Sequence, residues 1–454
     1  MWHATSSLLK SPLVRALALL SCVSCGSSAY RAAEHGDSAR LRAEIADKHE
    51  RGKLSNSEAA CLARAVATHE VTSAKDDNAA TSRIRESRAC AVELDDALEE
   101  RMKKHDGAGA EAALARLEDG KLGDGDARDF LGDADDRWRA VGTRTLHRED
   151  DRARRQAAVL DPSPRVRRSA LRAAGQAKDL ADLDLLFETV RVDPELLLRN
   201  EALRAMSQIL RAEGGKARAT EHANRLRDLW TSGDDAIRED IAVAWALSPV
   251  FESGGREALR VEVASGRGPG ALAAAGVVLR NSKDPELTAS ASALLARTIA
   301  EGSRRDRLHA LANARTSNSA ELEAIRKAAK EEDLDVRVPA LARLLDSKPD
   351  HDASMNELEA IAGQGVKRGG PPIDDGRRLE AAARARSALA QAGDLRIQAW
   401  IEQDLVAPDP QRRLGAASAL AALGRPARAV MLLADQDVTV RTRAACTMLV
   451  ASRR

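Results

Sequence analysis

Large aromatic side chains are nearly absent: three Phe, one Tyr and five Trp in 454 residues, or 2%. The β-branched and aromatic runs that fill sheets are scarce as well, which argues against a sandwich or barrel. No stretch approaches the roughly 20 apolar residues needed to cross a bilayer as a helix. Charge of one sign is missing too. The 71 basic and 70 acidic residues leave a net charge of +1, so nothing in bulk draws the chain to nucleic acid or an anionic membrane. Catalytic patterns are equally thin. The nine His form no His-Glu-x-x-His helix, and the Cys and His make no zinc cluster. There is no Gly-x-Ser-x-Gly elbow, Walker loop or Gly-x-Gly-x-x-Gly. The many acids fall on solvated faces, so no two stand out as general acid and base. What is present is a 44% hydrophobic content supplied mainly by Ala, Leu and Val. Ala and Leu are strong helix formers, and the chain reads as all-α. At this length a single core would be oversized, since cores stop growing near roughly 250–300 residues. A repeat array avoids that limit.

The first residues read as an export signal, residues 1–21. Lys10 and Arg15 are its basic part and Ala16–Leu20 open its apolar part. Leu19-Leu20-Ser21-Cys22 resembles the lipobox of bacterial lipoproteins, which implies a lipidated Cys22. Cys25, after Val23-Ser24, is the alternative; an ordinary cleaved signal with incidental cysteines is the plainer reading. Residues 22–37 are small and polar, as expected of a flexible tether. The expectation is an exported protein of the cell envelope, periplasm-facing or an outer-membrane lipoprotein, held to the membrane only by lipid.

Residues 38–118 read as a small helical region. Ser55-Asn56-Ser57-Glu58 is a capping box ahead of a helix that runs to Ser73. SAKDDN (73–78) is a turn, and a second long helix is expected over 79–104. In an antiparallel hairpin, Cys61 and Cys90 lie equidistant from that turn, so an oxidising compartment allows a disulfide between them. Two buried free thiols is the competing reading. Cys446 reads as core. Residues 119–134 are rich in Gly and Asp but lack the ligand spacing of a calcium loop; they read as a linker or repeat turn.

From residue 119 to 454 the chain repeats itself. The clearest unit is Asp161–Gly175 (DPSPRVRRSALRAAG). Asp161 and the prolines stop one helix and start the next. Val166, Ala170, Leu171 and Ala174 make one apolar face, and Gly175 is expected to end the helix. The same register carries a column of arginines: Arg139, Arg167, Arg199, Arg238, Arg307, Arg337, Arg378, Arg413 and Arg441. Leu272 fills the remaining place, giving ten units spaced 28 to 41 residues apart. An acid precedes each arginine. It lies six residues before in Asp133, Asp161, Asp193, Glu301, Glu331 and Asp435, and four before in Asp234, Asp374 and Asp409. A cation early in a helix is poorly placed for the helix dipole. The column therefore reads as a structural ladder in which each Arg uses its own acid. A positive stripe for an anionic ligand is the functional alternative.

DPSPRVRRSALRAAG, EEDLDVRVPALARLL and DQDVTVRTRAACTML resemble the HEAT repeat family in its bacterial HEAT-like form. The resemblance implies a right-handed α-solenoid of stacked antiparallel helix pairs, preceded here by the small helical region, with Arg and Asp columns that commonly bond between neighbouring repeats. It also implies a concave surface formed by second helices, and a non-enzymatic role as a protein- or peptide-binding scaffold with no cofactor, no metal and no nucleic acid. The same resemblance admits bilin lyase-like or DNA glycosylase-like enzymes as alternatives. Because the chain ends in an apolar helix (AACTMLVA), self-association through the last repeat is a further expectation. Trp138, Trp230, Trp245 and Trp400 read as core plugs, with binding hot spots as the competing role.

Overall fold

The computed structural model describes residues 27–51, 53–212, 218–232, 235–266, 268–364 and 376–453. Among them every regular element is helical. The N-terminal region forms α1 (Ser28–Glu34), α2 (Ser38–Glu50), α3 (Asn56–Ser73), α4 (Asp77–Glu86), a three-ten segment (Arg88–Leu94), α5 (Asp95–Met102) and α6 (Gly107–Glu118). First and second helices then alternate. They are α7 (Asp124–Arg128) and α8 (Asp136–Thr143), α9 (Arg152–Val159) and α10 (Pro164–Ala177), then α11 (Leu183–Val192) and α12 (Leu196–Leu210). Next come α13 (Ala219–Ser232) and α14 (Asp235–Trp245), α15 (Arg256–Ser265) and α16 (Gly268–Asn281), then α17 (Pro285–Glu301) and α18 (Arg304–Asn313). The series ends with α19 (Ser319–Ala328) and α20 (Leu334–Leu344), α21 (His351–Ala362) and α22 (Gly376–Gln391), α23 (Gln398–Asp404) and α24 (Pro410–Ala422). A three-ten segment (Pro426–Ala434) is followed by α25 (Val438–Ala451). The chain is an all-α solenoid of stacked helix pairs, and each of the ten column positions lies on a second helix.

Two compact units are present. One spans Gly123–Glu357. In it, second helices stack on one another (α8 on α10, α10 on α12, α12 on α14, α14 on α16) while first helices pack beside them. Its interior is Ala, Leu and Val with a few large plugs. Trp138 is buried against the Phe130 ring at 4.5 Å, and Trp230 and Trp245 stack at 4.9 Å. The Trp245 indole N–H donates to the Ala223 carbonyl, so its polar edge is satisfied inside the core. Trp400, in the other unit, is only half-buried and lies over Gly363.

The other unit joins residues through Leu122 to those from Leu358 onward. Here α24 stacks on α25, and α25 stacks on α3. The apolar end of the chain is thus covered by the N-terminal region.

Several sequence expectations change in detail. Residues 28–34 of the expected tether are helical, because Ser27 caps α1 and Ala32 and Ala33 are buried. The expected single helix over 79–104 is broken after Glu86: Ser87 leaves helical geometry and its hydroxyl donates to the Ile84 carbonyl, and the chain tightens into three-ten turns. Residues 119–134 contain α7, the first helix of the first pair. Gly175 does not end α10. The helix continues to Ala177 and stops at Lys178, which adopts a left-handed conformation (φ 54°). Gly175 instead lets α12 approach, since a Cβ there would lie 3.1 Å from the Ala205 Cα. The capping box forms as expected, with Ser55 and Glu58 each bonding the other's backbone N–H.

Candidate functional site: an arginine ladder and a groove on the second helices

Four of the column arginines share one arrangement. Arg139, Arg167, Arg413 and Arg441 each donate to two carbonyls in the turn just before their own helix, five and six residues back. For Arg139, Arg167, Arg307 and Arg413 the acid reached belongs to the following repeat, not the arginine's own. Arg139 lies 3.9 Å from Asp161, Arg167 is 3.0 Å from Asp193, Arg307 pairs with Glu331, and Arg413 donates to Asp435 at 3.1 Å. The expectation that each Arg uses its own upstream acid is therefore corrected. The two acid positions do different jobs. The acid six before the Arg receives the preceding repeat's guanidinium, while the one four before caps the helix, as Asp135, Asp409 and Asp437 do.

Other column members vary. Arg199 donates to the Val190 carbonyl at 2.8 Å, Arg238 sits over the Trp230 ring at 5.6 Å, and Arg337 pairs with Glu357. Arg378 is exposed in the first turn of α22, and Leu272 is buried in α16. Asp234 and Asp374 lie outside the described residues, as do Cys22 and Cys25.

Arg441 would need an eleventh repeat to supply its acid. Glu70 of α3 fills that place, 2.8 Å from the Arg441 Nε, with its side chain 5% exposed. Further contacts fix the same junction. Asn56 donates to the Gly424 carbonyl, Arg42 to Ala434 and Arg428 to His49, while Arg443 pairs with Glu86 and Arg453 with Glu93. Cys90 is bonded to Cys446 across 356 residues of sequence, with the Cα atoms 5.2 Å apart. This replaces the expected Cys61–Cys90 pair. The break after α4 removes the hairpin symmetry on which that pairing rested.

Sequence reasoning missed a second ladder on the first helices. Arg128 donates to Asp151, Arg155 to Asp182 at 2.7 Å, and Arg326 to Asp350 at 2.8 Å, with 23 to 27 residues between partners. Arg155 and Asp182 are almost fully buried. An Arg in a first helix followed at that interval by an Asp is the signal that marks it. Arg386, also buried, pairs with Asp404 at 2.5 Å and donates to the Ala362 carbonyl. These contacts show in the acidities: Arg128 holds Asp151 below the ordinary carboxylate range, and Arg326 does the same to Asp350.

With the column engaged, the open surface lies further along the second helices. In the last two repeats it forms a groove of about 680 Å³. Leu414, Gly415, Ser418 and Ala422 of α24 make one wall and Cys446, Thr447 and Val450 of α25 the other. Ala89 and the Glu86–Arg443 pair close one edge. Short side chains leave backbone accessible between two parallel helix ridges, a shape that admits an apolar side chain or a peptide. The one thiol in the lining, Cys446, is oxidised, and no His lines the groove. Among the described residues no group of three His, Cys, Asp or Glu is placed to hold a metal ion, and no helix is long and apolar enough to cross a membrane.

No family model matches the chain, and no curated protein matches it. Solved structures do. It is similar to an engineered protein at 16% identity, covering 85% of this chain and 98% of that one, with a TM-score of 0.27. It is similar to Kap121p at 12% identity and a TM-score of 0.32, covering 97% of this chain and 49% of that one. It is likewise similar to the karyopherin Kap121p bound to the extreme C-terminus of the protein phosphatase Cdc14p, at 12% identity, 96% and 49% coverage and a TM-score of 0.31. The chain spans about half the length of Kap121p.

Proposed function

We propose that the chain is a non-enzymatic protein-binding scaffold of the bacterial cell envelope, exported and tethered through a lipid on Cys22, with Cys25 as the alternative. The groove between α24 and α25 carries this reading. It is built from the residues that follow the column on each second helix, and short side chains there leave room for a partner's. The Cys90–Cys446 bond supports export, because such bonds persist in oxidising compartments. The apolar face of α25 packs on α3 of the same chain, so self-association through that end is not part of the proposal.

A photo-crosslinking residue at Ser418 tests the groove in intact cells. A discrete protein adduct is expected at Ser418, lost when Gly415→Arg fills the groove, and absent with the crosslinker at exposed Val406. Equal adducts at Ser418 and Val406 would overturn the groove as the binding surface. Labelled fatty acid is expected to enter the wild-type chain and not Cys22→Ser. Undiminished labelling of that variant assigns Cys25, and no labelling of the wild type removes the tether.

A further inference from the structure

The ladder breaks at one rung. At Leu272 of α16 the column carries no guanidinium. Elsewhere the acid six residues before a column arginine receives the guanidinium of the preceding repeat. Asp161 takes Arg139, Asp193 takes Arg167, Glu331 takes Arg307 and Asp435 takes Arg413. Glu301 stands at this position ahead of Arg307, and the guanidinium it would receive is the one Leu272 does not supply. Glu301 forms no ion pair among the described residues and is exposed. The Asp193 and Asp435 side chains, each under its guanidinium, are only 7% and 11% exposed.

A cavity of about 240 Å³ lies at the broken rung. Gly266 and Leu272 line it from the start of α16, Glu301 and Asp306 from either side of the turn between α17 and α18. In four other repeats the column arginine also donates to the carbonyls five and six residues back. Gly266 stands six back from Leu272, so it holds one of those acceptor positions. Leu272 can bond neither a carbonyl nor a carboxylate. The neighbouring cations do not take its place. Arg304 pairs with Asp333 and Asp335, and Arg307 with Glu331. Arg305 is exposed and outside the lining. Arg297 of α17 lines the cavity beside Gly266, where an added Cβ would come within 2.5 Å of its Nη2. It pairs with no acid among the described residues. Asp306 accepts from the Ser303 hydroxyl at 2.7 Å, which leaves Glu301 as the unengaged carboxylate. The gap is one of register, since Arg297 and Arg305 balance the two acids in net charge.

We infer that this cavity binds a guanidinium group from outside the chain, with Glu301 as its carboxylate partner. The chain's own ladder shows what these positions recognise, because the equivalent acids hold a guanidinium in four other repeats. A guanidinium offers five donors in a planar fork, which can serve a carboxylate and a turn carbonyl together. An ammonium is a compact point charge without that fork. An arginine side chain of a partner protein and a free alkylguanidinium share the required chemistry. Because Glu301 is exposed, the pair is a weak one, with a Kd of about a millimolar. The cavity belongs to the unit Gly123–Glu357 and the groove to the other unit, so the inference does not depend on the groove.

Methyl NMR titration of the full chain tests it. The reporters are the methyls of Leu272, in the lining, and of Leu294, whose Cδ1 would lie 3.7 Å from a Cβ on Gly266. The probes are agmatine and an end-blocked Gly-Ser-Arg-Ser-Gly peptide, with citrulline and lysine versions of the peptide as controls. Agmatine and the arginine peptide are expected to shift both reporters saturably, the lysine peptide more weakly and the citrulline peptide not at all. Tighter binding of the arginine peptide assigns the cavity to a partner's side chain, and tighter binding of agmatine to a free guanidinium compound. Glu301→Gln, at an exposed position, should weaken binding about fivefold, the weight of a part-exposed ion pair. Leu272→Arg should restore the rung and abolish the Leu294 shift. Thermal melts followed by circular dichroism check that the variants fold, and Glu301→Gln carries the test if Leu272→Arg does not. Four outcomes would overturn the inference. They are no saturable shift in the wild type, equal binding of the citrulline or lysine peptide, and binding indifferent to Glu301→Gln. The fourth is binding seen only after Arg297→Gln or Arg267→Gln, which would mean that the chain's own arginine closes the site.

Discussion

Arg441 and Glu70 lie 371 residues apart in sequence, yet they make the same contact that Arg413 makes with Asp435. The Glu70 side chain is almost fully buried. Arg83 also reaches the Glu70 carboxylate, at 3.3 Å, so loss of Arg441 removes charge-assisted hydrogen bonds without leaving Glu70 unpaired and costs about 2 kcal/mol. Arg441→Ala should therefore lower the urea midpoint by the equivalent of about that amount. Arg441→Ala with Glu70→Ala should lose less than the two single losses added together. An unchanged midpoint for Arg441→Ala would show that the ladder does not stabilise this junction. The exposed Arg40–Glu44 pair is the contrast, where less than about 1 kcal/mol is expected. Acidity offers a separate check. The Arg137 side chain, bonded to Asp135, holds that carboxyl down to about 2, against about 3.9 for a free Asp. A depressed folded pKa stabilises the fold above the unfolded value, and the contribution is lost as pH falls from about 4 toward about 2. Carboxyl NMR titration should place Asp135 in that low range. Arg137→Gln should bring it back toward the ordinary value, and a titration unmoved by that substitution would discount the Arg137 contact. Asp151 and Asp394 shift in the same direction, through Arg128 and Arg396.

Helices show which local signals carry through. The capping box at α3 was legible because its two partners are three residues apart; Ser55→Ala should cost about 1 kcal/mol in urea unfolding, and a negligible change would mean the cap is redundant. Alternating helix pairs and the column were legible for the same reason, since a 3.6-residue period and an Asp or Pro at a helix start are local facts. The partner of each column Arg was not legible from spacing; only the resemblance to HEAT repeats implied bonds between neighbouring repeats. The nearest acid in sequence caps the Arg's own helix, while the acid that receives the guanidinium lies a repeat further on. The break after Glu86 was hidden as well, because Ser87 and Arg88 are not helix breakers by propensity and it is packing that tightens them. α13 holds a feature with no sequence signature at all. His222 is fully buried, and neither ring nitrogen has a hydrogen-bond partner among the described residues. Burial first, then the Arg218 charge, lowers its pKa, so it is neutral in the fold. An unfolded His gains its proton below about 6.5. Stability should then fall as pH drops below about 6.5, since the unfolded state binds the proton more readily. His222→Leu should flatten the urea-midpoint profile between about pH 6.5 and 5, and an unaltered slope would exclude His222 as its source.

The Cys90–Cys446 bond ties the first hundred described residues to the last helix. Peptide mapping without reductant should recover these two cysteines linked, whereas a Cys61–Cys90 peptide would refute the arrangement. The chain-entropy model gives about 6 kcal/mol for so long a loop, so reduction or Cys446→Ser should lower the unfolding midpoint markedly. None of this closure could be read from the sequence. Periodicity reports on neighbours a few residues away, and the apolar face of AACTMLVA is compatible with any helix that covers it. The position of the groove was more accessible, because the residues beyond the column are the ones a second helix leaves unpaired once its arginine is engaged. The order of synthesis gives the closure a further meaning. Repeat arrays generally fold from any point outward, each unit needing only the next, and domains in a growing chain fold from the N-terminus first. Here α3, Glu70 and Cys90 are made early but find their partners only in the final repeat. A segment translated before the intervening repeats is thus completed only after them. A stop codon just before α25 would strand residues near the other terminus as surely as those beside it.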